Sequence, residues 1–136
     1  MARAPLPAIE SIFEIKSSDD IPDDRFEVET EEHRITITMG KNTYHLVQEL
    51  RQTAEDTRAV AMNALYVPVI MQVLEQIGSQ GTEPFEQYRW FNPFKLRCDI
   101  SSVDLSKLDL FNDAQKMLSI PFYSLKRLTQ SQGDQL

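Results

Sequence analysis

Four consecutive residues after a predicted strand, Gly40-Lys41-Asn42-Thr43, contain the Gly-Lys pair of a phosphate-binding loop. That loop also needs a Gly separated from the pair by four residues, and a Ser or Thr directly after the Lys. Ile35 and Asn42 stand in those two places. The backbone cradle for the phosphates and the hydroxyl ligand for magnesium are therefore both missing, and the segment is interpreted as a turn between a strand and a helix.

Residues 17–24 contain four aspartates, whose carboxylate oxygens are ligands that hard cations prefer. An EF-hand loop needs ligands at alternating positions and a glycine at its sharp turn. Here Ile21 and Pro22 interrupt the aspartates, and no glycine is present in the segment. The sequence therefore predicts neither a metal site nor a cofactor.

The two histidines and the single cysteine do not form a catalytic pattern. His33 and His45 lack the spacing of four residues that places two ligands on one helix face. No Gly-x-Ser-x-Gly elbow is present. Cys98 occupies an apolar position of its segment, which is typical of a buried, unreactive thiol. Because no nucleophile, base and orienting group occur together, we predict that the protein is not an enzyme.

The charge of the chain is concentrated near its N-terminus. The 136 residues carry a net charge of −7, and residues 1–32 alone contain ten acidic and three basic side chains. Such a segment repels nucleic-acid phosphates and favours a basic partner or plain solvent exposure. The predicted acidic surface consists of Asp19, Asp20, Asp23, Asp24, Glu27 and Glu29.

The sequence also predicts the cellular compartment of the protein. One cysteine fits a reducing compartment, and the first residues contain no apolar run typical of a secretory signal. The uncharged stretch between Arg58 and Glu75 is 16 residues long, which is short of the length needed to span a bilayer. We therefore expect a cytoplasmic chain that does not bind membranes.

Alternating apolar and polar residues predict a small sheet. Residues 25–30 and 34–39 alternate on either side of a polar turn, which indicates a hairpin. Residues 12–16 form a shorter candidate strand. We predict an α+β fold, in which an N-terminal antiparallel sheet of two or three strands packs on a helical layer.

The strongest helical pattern lies in residues 57–77. Nearly all positions that face away from Arg58 and Gln76 are apolar, so this helix has to be covered on several sides. Pro68 is expected to kink it, because proline removes one backbone hydrogen bond. Gly78 is expected to end it.

Weaker signals predict the remaining elements. A helix over residues 43–53, capped by Asn42 or Thr43, precedes the apolar helix. Residues 83–91 and 105–118 are also predicted to be helical. Residues 94–100 alternate, which favours a strand, although a kinked helix continuing through Pro93 also fits. A last helix is predicted to begin at Pro121. Residues 1–9 are expected to form a loose arm and residues 131–136 a polar tail, so the predicted single domain covers residues 10–130.

Two groups of apolar residues are candidates for an interface with another chain. The first lies on the apolar helix, where Asn63 is a polar group that could fix register. The second combines aromatic residues with Arg89, a composition common in interface hot spots. Packing inside the chain is the commoner outcome for residues of both kinds. The candidate residues are Met62, Asn63, Leu65, Tyr66, Pro68, Ile70, Met71, Trp90, Phe91 and Phe94.

Two segments resemble the end of longer uncharacterised bacterial proteins. The first is Ala64-Leu65-Tyr66-Val67-Pro68-Val69-Ile70-Met71-Gln72-Val73-Leu74, an apolar helix with an internal proline, and the second is Ala114-Gln115-Lys116-Met117-Leu118-Ser119-Ile120-Pro121-Phe122. The resemblance implies no activity. It implies that the chain is the C-terminal domain of something larger.

Together these features predict a non-enzymatic interaction or assembly module. We expect it to self-associate, as a dimer, through the apolar helix of residues 57–77. The alternative is a small acidic inhibitor or nucleic-acid mimic that binds a basic protein partner through residues 10–32.

Overall fold

A three-stranded sheet forms near the N-terminus in the computed structural model, which describes residues 9–118. Its strands are β1 (Phe13–Ser17), β2 (Phe26–Glu29) and β3 (Ile35–Met39), in the spatial order β1-β3-β2. A short 3-10 helix, Ile9–Ile12, precedes β1. The predicted hairpin is confirmed, because β2 and β3 pair antiparallel.

The sheet is mixed rather than wholly antiparallel, which corrects the prediction. β1 pairs with β3 in parallel, so that Phe13 lies opposite Ile35. The reason is the position of β3, whose Ile35 and Ile37 are completely buried. Placing this most apolar strand in the centre buries both of its edges. The chain reverses once after β1 and once after β2, so β3 runs in the direction of β1.

The sheet has one apolar and one polar face because side chains alternate along each strand. The register places Phe13, Ile15, Val28, Ile35, Ile37 and Met39 on the apolar face. It places Glu14, Lys16, Glu27, Glu29, Thr36 and Thr38 on the polar face.

Four α-helices within residues 9–118 complete the α+β fold. They are α1 (Lys41–Arg51), α2 (Glu55–Gln80), α3 (Phe91–Ile100) and α4 (Leu110–Met117). The apolar face of the sheet lies against α2, and the rings of Phe13 and Tyr66 stack with centroids 4.7 Å apart. Both α1 and α4 also contact α2, which makes α2 the centre of the described chain.

The burial of α2 is one-sided. Its eight buried side chains recur at steps of three and four residues: Met62, Leu65, Tyr66, Val69, Ile70, Val73, Leu74 and Ile77. Ala64 and Pro68 are exposed, so the expectation that the helix is covered on several sides is wrong for the side that carries these two residues. The helix is continuous through Pro68. Since Pro68 lies on the exposed side, water can reach the Ala64 carbonyl, which loses its helical donor.

Gly81, rather than Gly78, ends α2. Its backbone φ of 80° lies in the left-handed region that favours glycine, and its N–H donates to the Ile77 carbonyl. Gly78 lies inside the last turns, next to the side chain of Leu108. The prediction that Gly78 ends the helix is wrong. Both glycines lie close to the end of the apolar repeat, and only the backbone φ angle shows which of them ends α2.

Residues 94–100 belong to α3, so the strand prediction is wrong and the helical alternative is correct. The buried residues are Phe91, Phe94 and Cys98, which follow a helical period. Leu96 and Ile100, which the strand pattern would bury with Phe94, are 44% and 58% exposed. Pro93 lies in the first turn, where its missing N–H costs no helical bond.

The other helix predictions are partly confirmed. Within residues 83–91, a 3-10 helix, Glu83–Phe85, is followed by turns before α3 begins. Of residues 105–118, only Leu110–Met117 is α-helical. Ile9 already belongs to the first 3-10 helix, whereas the rest of the predicted arm, the helix at Pro121 and the polar tail lie outside the described residues.

The start of α1 is capped from a distance. Asp23 Oδ1 accepts hydrogen bonds from the backbone N–H groups of Asn42 at 3.2 Å and Thr43 at 3.4 Å. The prediction that Asn42 or Thr43 caps the helix is wrong, because α1 begins at Lys41 and both residues lie in its first turn, where their N–H groups need an acceptor from elsewhere. Gly40 is the N-terminal flanking residue, and a Cβ there would collide with Asp23 and with the Ile21 carbonyl.

One helix of the described residues, α2, is long and apolar enough to cross a membrane by length and composition. Core helices of soluble proteins pass the same test. Here the apolar side chains of the buried stripe pack against the sheet and the neighbouring helices.

We predict that Gly40→Ala destabilises the protein by about 1–3 kcal/mol, because the added methyl group meets backbone atoms that cannot move aside. Gly78→Ala is the matched control. Its methyl group meets only the end of the flexible Leu108 side chain, so its effect stays within about 1 kcal/mol. Urea unfolding measures both variants, and equal effects of the two would contradict the tight contact at Gly40.

Candidate functional site

Seven of the ten predicted interface residues lie inside the chain. Their exposed fractions do not exceed 7%, so they are not available to a second chain: Met62, Leu65, Tyr66, Ile70, Trp90, Phe91 and Phe94. The prediction that these residues present an interface is therefore corrected. The sequence indicates only that an apolar side chain needs cover, and in this fold the cover comes from the same chain.

The aromatic cluster is organised around Trp90. Its ring makes edge contacts with Phe94 at a centroid distance of 5.6 Å and with Phe91 at 6.0 Å. Trp90 Nε1 donates a hydrogen bond of 2.9 Å to the backbone carbonyl of Thr30. This bond satisfies the polar atom of a buried indole and joins the start of α3 to the end of the hairpin.

The outer side of α2 retains the other three predicted interface residues. Pro68 is exposed, whereas Asn63 and Met71 are half-buried. Val60, Ala64 and Val67 lie on the same side, at helical spacing, and none of them is fully buried. This side is a shallow strip of small and apolar residues.

The predicted reactive groups are not brought together. Cys98 is completely buried, and desolvation raises its pKa to about 12; its Sγ lies 3.9 Å from Met117 Sδ. The inert-thiol prediction is consistent with this setting. His33 is exposed, and its Nδ1 accepts a hydrogen bond of 3.2 Å from the Arg89 backbone N–H. His45 is exposed on α1.

Burial also acts on Tyr66. Desolvation, followed by the nearby charge of Glu10, raises the pKa of Tyr66 to about 12. A phenol that stacks on Phe13 in the interior resists ionisation. This group therefore belongs to the core and not to a reactive site. Within residues 9–118, no group of three or more His, Cys, Asp or Glu side chains is arranged to hold a metal ion.

All six residues of the predicted acidic surface are exposed, but they do not form one patch with one role: Asp19, Asp20, Asp23, Asp24, Glu27 and Glu29. The four aspartates lie in the loop between β1 and β2, and the two glutamates lie on β2. Asp23 is structural, because its carboxylate also accepts a 2.9 Å hydrogen bond from Asn42 Nδ2.

The glutamates of β2 are on the polar face of the sheet. Glu27 lies opposite Thr38 and Glu29 opposite Thr36 on the central strand. No ion pair joins either glutamate to a basic side chain within residues 9–118. On the other edge strand, the carboxylate of Glu14 lies 4.0 Å from Lys16 Nζ. The negative charge of this face is therefore concentrated on β2.

A groove of about 320 Å³ lies between the end of β2 and the C-terminal turns of α2. We call it the β2 groove. Its lining is largely polar and carries two carboxylates, with apolar contributions from Val28 and Phe85. The lining residues are Val28, Glu29, Thr30, Glu31, Gln76, Gln80 and Phe85.

Buried hydrogen bonds fix the floor of the β2 groove. Thr30 is 6% exposed, and its Oγ1 donates a 3.0 Å bond to Gln76 Oε1 on α2. Its carbonyl accepts the bond from Trp90. Sequence reasoning identified Glu29 but missed Thr30 and Gln76. They are 46 positions apart, and no local pattern connects the end of a strand to a polar position on a distant helix.

Comparisons of the chain with models of protein families, with curated proteins and with solved structures found no match. The resemblance to longer bacterial proteins therefore stays a prediction. The function has to be argued from the surface that the fold leaves exposed.

Proposed function

We propose that the protein is a non-enzymatic interaction module that binds a basic protein partner through the acidic surface around β2. One observation carries this proposal: two glutamates on the edge strand, Glu27 and Glu29, are exposed, and neither forms an ion pair within the described residues. Glu31 and Glu32, in the hairpin turn, are exposed as well. A surface of this kind attracts lysine and arginine side chains and repels phosphates.

The loop between β1 and β2 carries further exposed negative charge. Asp19, Asp20 and Asp24 are exposed, and Arg25 is the basic residue among residues 17–25. The alternative predicted from the sequence, a small acidic inhibitor or nucleic-acid mimic, is also a protein that binds a basic partner. The common element is a partner whose contact surface carries positive charge.

We predict that a fluorescein-labelled oligolysine peptide binds the protein and loses about tenfold or more in affinity when salt rises from about 50 mM to about 300 mM. Glu27→Gln/Glu29→Gln should weaken the low-salt binding by about threefold or more, because two unneutralised charges are removed. Fluorescence anisotropy measures both effects.

Glu49→Gln/Glu55→Gln is the matched control, since both residues are exposed and lie on helices away from β2. It removes the same net charge and should leave the affinity nearly unchanged. Equal weakening by both double variants would mean that oligolysine responds only to overall charge, and this result would overturn the proposed surface.

Self-association through the outer strip of α2 is the second candidate function. It is favoured by the spacing of Val60, Ala64, Val67 and Met71, which lie at steps of three and four residues without full burial. Small residues at such spacing allow close approach of two helices. In such a dimer the two chains contact each other through the outer sides of their α2 helices, and the buried side of each α2 stays in the core of its own chain.

We predict for this candidate that light scattering at micromolar concentration gives twice the mass of one chain. Ala64→Arg should restore the mass of a single chain, because it places a charge in the strip. Arg58→Ala is the control, since Arg58 is exposed near the start of the same helix. A single-chain mass for the unmodified protein at the highest soluble concentration would eliminate the candidate.

A further inference from the structure

The edge strand β2 has one side without a partner strand. The sheet order β1-β3-β2 places β3 on one side of β2, and no strand of residues 9–118 lies on the other. An edge strand presents unpaired backbone N–H and C=O groups, which are a template for one more strand. The opposite edge strand, β1, contacts α1 and is more buried than β2, in which all residues but Val28 are exposed, so β2 is the more accessible of the two edges.

The β2 groove lies beside the same edge. Val28 of β2 lines this groove together with Gln76 and Gln80 of α2, so the groove lies on the side of the sheet that faces α2. A strand added to β2 would send every second side chain toward this groove. Val28 and Phe85 supply the apolar part of the lining, which suits apolar side chains of an added strand on that face.

The charges determine which segment fits. Glu27 and Glu29 extend from β2 on the polar face, and Glu31 is one of the residues that line the groove. On an added strand, cross-strand neighbours of these residues are stabilised when they are lysine or arginine. Phe26, which is 45% exposed on the apolar face, favours an apolar neighbour on the alternate positions.

We propose that β2 and its groove bind an extended segment of a partner protein by strand addition, with lysine or arginine alternating with apolar residues. This inference rests on the proposed function and specifies its partner. Backbone hydrogen bonds supply part of the affinity, and the alternation of side chains supplies the specificity.

Acidic side chains on an edge strand also have a protective role, because they discourage pairing between copies of the same chain. The two roles make different predictions. If Glu27 and Glu29 serve only as protection, their neutralisation causes self-association and leaves peptide binding unchanged. If they recognise a basic strand, their neutralisation weakens binding of a basic peptide.

The test uses a labelled peptide of alternating lysine and valine and two versions of it that are N-methylated, one on every lysine and one on every valine. Each methylated set blocks one edge of an extended peptide. Strand addition uses one edge only, so one version should lose about tenfold or more in affinity while the other stays within about threefold of the parent.

The outcomes separate this inference from the proposed function. Equal affinity of the two methylated versions would overturn strand addition, even if the parent peptide and oligolysine both bind. Binding of oligolysine without any preference for the alternating peptide would have the same meaning. If no basic peptide binds, both the inference and the proposed function fail.

A second measurement locates the added strand on the protein. In the unmodified full chain, peptide binding should slow the hydrogen exchange of outward-facing amides in Phe26–Glu29, and leave those of β1 unchanged. Glu27→Gln/Glu29→Gln should reduce this protection at equal peptide concentration. Protection that appears on α1 or α4 instead would place the peptide elsewhere and overturn the proposal.

Discussion

The fold depends on burying one side of α2. Its eight buried side chains exceed those of any other described element, and burial of a large aliphatic or aromatic side chain is worth about 1.5–3 kcal/mol. The apolar face of the sheet and the cluster around Trp90 are the surfaces that this stripe requires. The positions of β3 in the centre of the sheet and of α1 and α4 beside α2 follow from this requirement.

The exposed surface consists of the side chains that do not pack against α2. On β2 the apolar side chain of Val28 lies on the face toward α2, and the alternate side chains of Glu27 and Glu29 are exposed to solvent. Thr30 connects the two regions, because it joins the hairpin to Gln76 and to Trp90 through buried hydrogen bonds. The acidic edge is therefore held by the same core that removes Trp90 and its neighbours from the surface.

Local patterns predicted the elements that depend on local chemistry. Alternation over residues 25–39 identified the hairpin, and the apolar repeat identified α2. Residues 94–100 were misassigned because Phe94 and Cys98 fit both a period of two and a helical repeat, and only the packing of Phe91 decides between them. The cap of α1 could not be predicted, since Asp23 reaches Asn42 across 19 positions.

Of the candidate site, the sequence predicted the exposed negative charge but not the position or the lining of the groove. Carboxylates are almost always solvated, so the exposure of Glu27 and Glu29 followed from their type. Whether an apolar residue such as Leu65 faces its own chain or another cannot be read from sequence, because the hydrophobic effect does not depend on the source of the cover. The β2 groove was missed for a similar reason: its lining comes from segments that only the fold brings together.

The burial of Trp90 within a single chain tests this account most directly, because it is the protein's one tryptophan. The measurement is acrylamide quenching of its fluorescence, made at a dilution where light scattering gives the mass of one chain. The account predicts blue-shifted emission and weak quenching, both of which change to the behaviour of exposed tryptophan in denaturant. Strong quenching with red-shifted emission in the native single chain would show that the aromatic cluster is a surface and would contradict the account.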